Sequence, residues 1–251
     1  MPRSREPDLA RLFHLNSSNS RAKVPELAVD LDSQPRQRRI YVGAERSLLP
    51  GRDLELDLNL GEALARRRSR RDFRLAPLPL ATLGRWLHAS FGVKGSLELE
   101  GAAVADRPFP SAGGLHPLEL YVVTQQVSDL ADGIYHYDPW THELEHRRRG
   151  LFHDTLAAMS LGQEMLRQAN VVVCLTGICQ RTQWKYGQRG YRYVWLEAGH
   201  VGQNLYLTAA ALGLAVAAIG GFFDQELARL LELPPGEEDV LYLLCAGQPA
   251  A

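Results

Sequence analysis

Cysteine is scarce in this sequence: three among 251 residues, Cys174, Cys179 and Cys245, with no CxxC pair. That excludes a disulfide framework and favours a reducing compartment, expected to be the cytoplasm. A dominant charge is missing as well. Twenty-eight Lys+Arg against 29 Asp+Glu leave a formal net charge of -1, so no global field draws the chain onto nucleic acid or anionic lipid. The longest apolar stretch, near Leu205 to Ile219, is interrupted by Thr208 and Gly213 and falls short of the ~20 residues of a membrane span. The opening MPRSREPDLARLFHLNSSNSR has no apolar core followed by a cleavage site, so nothing marks the chain for secretion. GxSxG, Walker A and a GxGxxG after a strand are all missing, which removes the commonest signatures of serine hydrolases, P-loop NTPases and Rossmann enzymes. What is present, 45% hydrophobic and 23% charged residues, suits a globular fold with a large core and a small-molecule or protein partner.

Residues 1–59 are polar, carry prolines at 2, 7, 25, 35 and 50, and show little period beyond a short helix around Asp8–Phe13. They are expected to form an extended arm ahead of one domain over residues 60–251. Leu60 to Arg74 predicts a helix ending in arginines, prolines 77 and 79 separate it from a second helix over about Leu80 to Ser90, and a glycine- and proline-rich loop follows Gly92. LELYVV reads as a strand, GIYHYDPWTHELEHRRRG as a hairpin turning at DPWT, 151–168 as a helix and NVVVCLTGI as a buried strand. After a polar loop comes a helix from about Tyr191 to Leu212. Its stripe Val194, Ala198, Val201, Leu205, Thr208 and Leu212 steps by four and three residues, as a buried face requires. DVLYLLCAG closes the chain as a strand.

Two patterns mimic metal sites. His142, Glu143 and His146 spell HExxH, but in a strand the two histidines stand ~13 Å apart, too far to share one ion. Glu197 and His200 form a single ExxH on the long helix, and without a second copy on another helix they read as part of a buried, hydrogen-bonded polar stripe with Asn204. No metal is expected.

Three segments carry candidate chemistry. Arg66 to Arg71 sets guanidinium forks around Ser69, donors suited to bidentate phosphate capture, though a solvated charged face or an RNA-binding patch would read the same. Arg107 to Pro117, RPFPSAGGLHP, combines small residues that let backbone approach a flat ligand with prolines that stiffen the loop. Gly220-Gly221 follows an apolar strand-like stretch and can present backbone N–H groups to an anionic ring edge.

In this order, with FHLNSSNSR, RRSRRDF, PSAGGLHPLELYVV, GIYHYDP, KYGQRGYRY, LEAGHVGQNLYL and ALGLAVAAIGG, the chain from about Leu12 to Gln248 resembles the nitroreductase-fold flavoenzymes. Within them it is similar to the SagB-type azoline dehydrogenases, which make thiazoles and oxazoles in ribosomal peptides. The resemblance implies an α+β fold with a central mixed sheet flanked by helices, FMN at a homodimer interface, and oxidation of an azoline ring in a peptide to an azole, after a cyclodehydratase partner has closed that ring. It assigns Arg67, Arg68, Ser69 and Arg71 to the FMN phosphate and ribityl chain, Pro110, Ser111, Ala112 and Gly113 to the isoalloxazine, and Gly220 and Gly221 to its polar edge. Lys185 and Tyr186 fall on the pair the family uses in dehydrogenation. Chemically, aromatising an azoline removes a hydride and a proton from neighbouring carbons. A lysine sheltered from water can take the proton, with a tyrosine to orient or relay it; an ordinary loop lysine is the other reading.

Two departures stand out. His116 occupies a position where family members often carry tyrosine, which places a group near the ring that can handle protons around neutral pH. The sequence stops at GQPAA, whereas many nitroreductases continue with a basic residue that reaches the phosphate, so the arginine cluster would carry more of the anion binding. Other functions fit the same segments: an NAD(P)H-dependent nitro- or quinone reductase, or a non-catalytic scaffold docking a partner through its arginines.

Overall fold

The computed structural model describes residues 8–21, 33–53, 56–74, 76–99 and 101–250. Parts of the expected arm, at 1–7, 22–32 and 54–55, lie outside these residues. Strands β1 (Arg46–Leu48), β4 (Leu118–Thr124), β5 (Gly133–Asp138), β6 (Glu143–Arg149), β7 (Val171–Gly177), β8 (Ala215–Ile219) and β9 (Asp239–Gly247) form one sheet in the order β1-β6-β5-β4-β7-β9-β8. Every pairing in it is antiparallel where a mixed sheet was expected; the α+β class is as expected. The runs LELYVVT and VVVCLTG at its centre are buried at every residue and alternate between two cores. Leu118, Leu120, Val122, Val173 and Leu175 face one; Tyr121, Val123, Val172 and Cys174 face the other, as the two-residue period of a strand dictates.

Helices α3 (Leu80–Phe91) and α6 (Arg189–Ala211) cover the first core, with the predicted stripe of α6 turned inward. α4 (His153–Met159) and α7 (Asp224–Leu230) cover the second. Among the shorter helices are α1 (Leu9–Asn16), capped by the Asp8 carboxylate accepting from Arg11 N–H, α2 (Leu60–Arg66) and α5 (Gln180–Tyr186).

Several elements differ from expectation for local reasons. α2 stops at Arg66 instead of running to Arg74, because Phe73 is drawn into the core and bridges Pro249. The helix expected over 151–168 ends at Met159, since Leu161 and Gly162 have positive φ of 55° and 75°. A hairpin of β2 (Gly95–Leu99) and β3 (Ala102–Asp106), turning at Gly101, replaces the expected loop, and α5 replaces the polar loop around Lys185. His142 sits in a turn at φ 60° and His146 on β6, so the HExxH residues lie on no helix.

Residues 33–48 run against the sheet's far end as more than an arm. Arg38 pairs with Asp138, Arg39 with Glu238 (2.8 Å) and Arg46 with Glu143 and Glu145 (2.8 and 2.5 Å). Three of these acids, Asp138, Glu145 and Glu238, are buried. Inside the sheet His136 bridges Glu119 and Glu145 at 2.9 and 2.8 Å, and Arg181 of α5 reaches Glu119 at 2.6 Å. Burial alone would lower the His136 pKa, yet its two carboxylates hold it up at about 9.

Candidate functional site

α6 positions both halves of the candidate site. Where α2 ends, Arg67 leaves helical geometry (φ −52°, ψ 120°) and the chain runs beside β8, Arg70 N–H donating to Val216 O at 2.9 Å. An extended chain sends alternate side chains to opposite sides. Arg66, Arg68 and Arg70 accordingly line a shallow cleft of about 150 Å³ with Tyr206 and Val216, and Arg71 lies outside it. The Tyr206 hydroxyl of α6 meets Ser69 Oγ at 2.9 Å and receives the Ala218 N–H at 2.8 Å, while the Arg67 guanidinium lies 5.6 Å over its ring. Tyr206 thus ties arginine segment, long helix and edge strand together. Its place just beside the apolar stripe gives it no signal of its own in the sequence.

The second half is the loop after β3. Asn204 Nδ2 donates to Pro108 O at 2.9 Å, and the Ser111 hydroxyl accepts the His116 N–H at 2.9 Å. His200 is exposed, so the expected polar stripe reduces to Glu197 and Asn204. Gly113, at φ 63°, is where backbone approach matters: a Cβ there would stand 2.7 Å from the Tyr186 hydroxyl and 3.5 Å from Lys185 Cδ. Loop and Lys185-Tyr186 pair are therefore in contact. Lys185, on the last turn of α5, lines a cleft of about 650 Å³ with Gly113, Trp184, Val104 and Gln34. Pro110, Ser111 and His116 line a neighbouring cleft of about 480 Å³ under the β2–β3 hairpin. Val104 of β3 borders both, a role no glycine or arginine motif signalled. Burial and then Arg107 push His116 down to about 4, so its ring is neutral at pH 7 and is no near-neutral proton carrier.

Gly220 and Gly221 follow β8 at the end remote from Arg70. A Cβ at Gly220 would meet nothing within 4 Å, whereas one at Gly221 would meet Leu161 at 3.0 Å. The structure joins Gly113 to Lys185 and Tyr186, and Arg67 and Ser69 to Tyr206, but it keeps the two groups apart. Asn204 and Tyr206 are two residues apart on a helix of 3.6 residues per turn and project to nearly opposite sides. Neither cleft beside the loop contains any of the arginines from 66 to 71.

These residues fit a flavin mononucleotide: exposed guanidinium forks and a hydroxyl for a phosphate, and a glycine-bearing loop for a flat ring. Residues 64–248 match the Nitroreductase family. The nitroreductase-named protein MJ1384 of Methanocaldococcus jannaschii is 35% identical over 72% of this chain and 87% of its own length. The microcin B17-processing protein McbC of Escherichia coli is 29% identical over 51% of this chain; the match spans 48% of McbC. A chain of the E. coli microcin synthetase McbBCD complex, solved with truncated pro-MccB17 bound, superposes with a TM-score of 0.63 at 22% identity, covering 97% of this chain and 92% of that one.

Proposed function

The chain belongs to the nitroreductase family, and we propose that it is an FMN-dependent dehydrogenase oxidising thiazoline or oxazoline rings of a peptide to thiazoles or oxazoles. The observation that carries this reading is the Lys185-Tyr186 pair pressed against Gly113 at the mouth of a cleft, close enough that only glycine leaves room for the phenol. FMN, when bound, supplies the two-electron acceptor that receives the ring hydride. Lys185 takes the proton from the adjacent carbon, and Tyr186 orients the lysine or relays that proton. Arg67, Arg68, Ser69 and Arg71 hold the phosphate and ribityl chain; Pro110 to Gly113 lie against the ring, and Gly220 and Gly221 address its polar edge. The likeness to a microcin-processing protein and to a synthetase complex holding a precursor supports a peptide substrate and a cyclodehydratase partner acting first. Because α6 separates the arginine half from the loop half, one flavin touching both takes one half from each copy of a homodimer.

The test is direct. The purified protein should be yellow, release FMN on denaturation, and remove two hydrogens from a thiazoline peptide in the presence of oxygen. A specific observation favours a second reading: the relative with the higher identity and wider coverage is the one named as a nitroreductase. Bleaching of the flavin by NADPH with turnover of a nitroaromatic, and none of the thiazoline peptide, would decide for that reading. Colourless protein that refuses added FMN would overturn both.

A further inference from the structure

Behind the Pro110–Gly113 loop, four buried polar atoms have no hydrogen-bond partner among the described residues: Glu197 Oε1, His116 Nδ1, and Arg107 Nε and Nη1. Their residues are 3%, 4% and 8% exposed. Buried polar groups are ordinarily paired, so a cluster of unpaired ones calls for an explanation. The tautomer of His116 follows from its other nitrogen. Nε2 lies 3.0 Å from the Ala105 carbonyl, which can only accept, so the proton sits on Nε2 and Nδ1 offers a lone pair. That lone pair faces Glu197 Oε1 at 3.9 Å, roughly 1 Å beyond a hydrogen bond and within reach of a side-chain rotation. The Ser111 hydroxyl lies within the influence of the same carboxyl, and it accepts the His116 backbone N–H where that residue takes its positive φ of 43°.

We propose that Glu197 is a positioning residue whose carboxyl proton sets the state of the Pro110–Gly113 loop. Protonated, it donates to His116 Nδ1; ionised, it turns to the Ser111 hydroxyl and the Arg107 guanidinium. The charged and titratable groups facing it are Arg107 after β3, His116 before β4 and Arg181 on α5. Burial holds the carboxyl up at about 7 against the pull of Ser111, Arg107 and Arg181, while His116 stays neutral as the acceptor. The link to catalysis rests on the reading above, in which this loop lies against the flavin ring; the proton link itself does not.

The first experiment therefore uses the full chain freed of flavin, comparing melting of wild type and Glu197→Gln between about pH 5 and pH 8. A carboxyl that binds its proton more tightly folded than unfolded contributes stability that fades as pH rises from 4.5 through about 7. The melting-temperature difference in favour of Glu197→Gln should therefore grow across that window and then level. A difference constant with pH, as a merely structural contact would give, overturns the proposal. Ser111→Ala should move the window upward, because the ionised form loses a donor; a window that stays or moves down also overturns it. With FMN added, the visible flavin band should shift with the same midpoint in wild type and stay fixed in Glu197→Gln. A window present in the flavin-free melts but absent from the spectrum would uphold the Glu197 assignment and count against the flavin lying on this loop.

Discussion

Gly113 carries the tightest steric demand in the candidate site. Alanine there would combine a left-handed φ with a methyl 2.7 Å from the Tyr186 hydroxyl, so the phenol has to move. Gly113→Ala is expected to keep the fold and slow azoline oxidation about tenfold or more, measured by single-turnover bleaching of the flavin. Lys185→Ala should retain FMN and slow the same step by about 10²–10⁴-fold, the range for a lost proton acceptor. Tyr186→Phe should cost less if the phenol only orients the lysine and as much if it relays the proton. Near-normal turnover by flavin-loaded Lys185→Ala would remove the lysine from the chemistry. The double variant Arg68→Ala, Ser69→Ala should lose FMN on dialysis, read as the ratio of flavin to protein absorbance. The sequence singles these residues out because their types and order resemble a family. It does not single out Tyr206: a tyrosine in a long helix signals only a half-buried position, and its three contacts come from Ser69, Arg67 and Ala218, distant in sequence.

The elements most legible in the sequence were those whose side chains obey one period. β4, β7 and α6 sit where their apolar residues put them, because each buries a run or stripe that is mostly aliphatic. α5 was hidden by its polarity, since its exposed side faces a cleft and its buried side is held by Arg181 and Thr182 rather than by an apolar stripe. β1 was hidden by brevity. The strand trio β4, β5 and β6 carries a prediction of its own through the buried His136. Its folded pKa of about 9 stands above its ordinary 6.5, so the stability it contributes is complete below 6.5 and is lost as pH rises to about 9. Urea unfolding of wild type should show that decline, and it should persist in Glu197→Gln, whose own effect ends near pH 7. His136→Gln should remove the alkaline decline and lower stability at pH 6 by about 3–5 kcal/mol, the range for breaking a buried ion pair.

At the scale of the whole molecule, the proposed two-copy flavin site would make occupancy and assembly one equilibrium. Anything that binds only the paired form stabilises it by mass action. Added FMN should shift the sedimentation of dilute protein from monomer towards dimer, and dilution should release flavin. A holo-protein that remains monomeric at micromolar concentration while keeping its flavin would overturn the two-copy site.

The arginines between residues 38 and 46 have a consequence for how the chain is made. Synthesis runs from the N-terminus, so Arg38 leaves the ribosome 100 residues ahead of Asp138 and Arg46 leaves 99 residues ahead of Glu145. Arg39 waits longer still, until Glu238 emerges near the end. The sheet therefore cannot close its charge contacts in the order it is translated. A nascent chain halted before Glu238 would still hold Arg39 without its acid, and protease protection around Arg39 should be complete only once Glu238 has emerged.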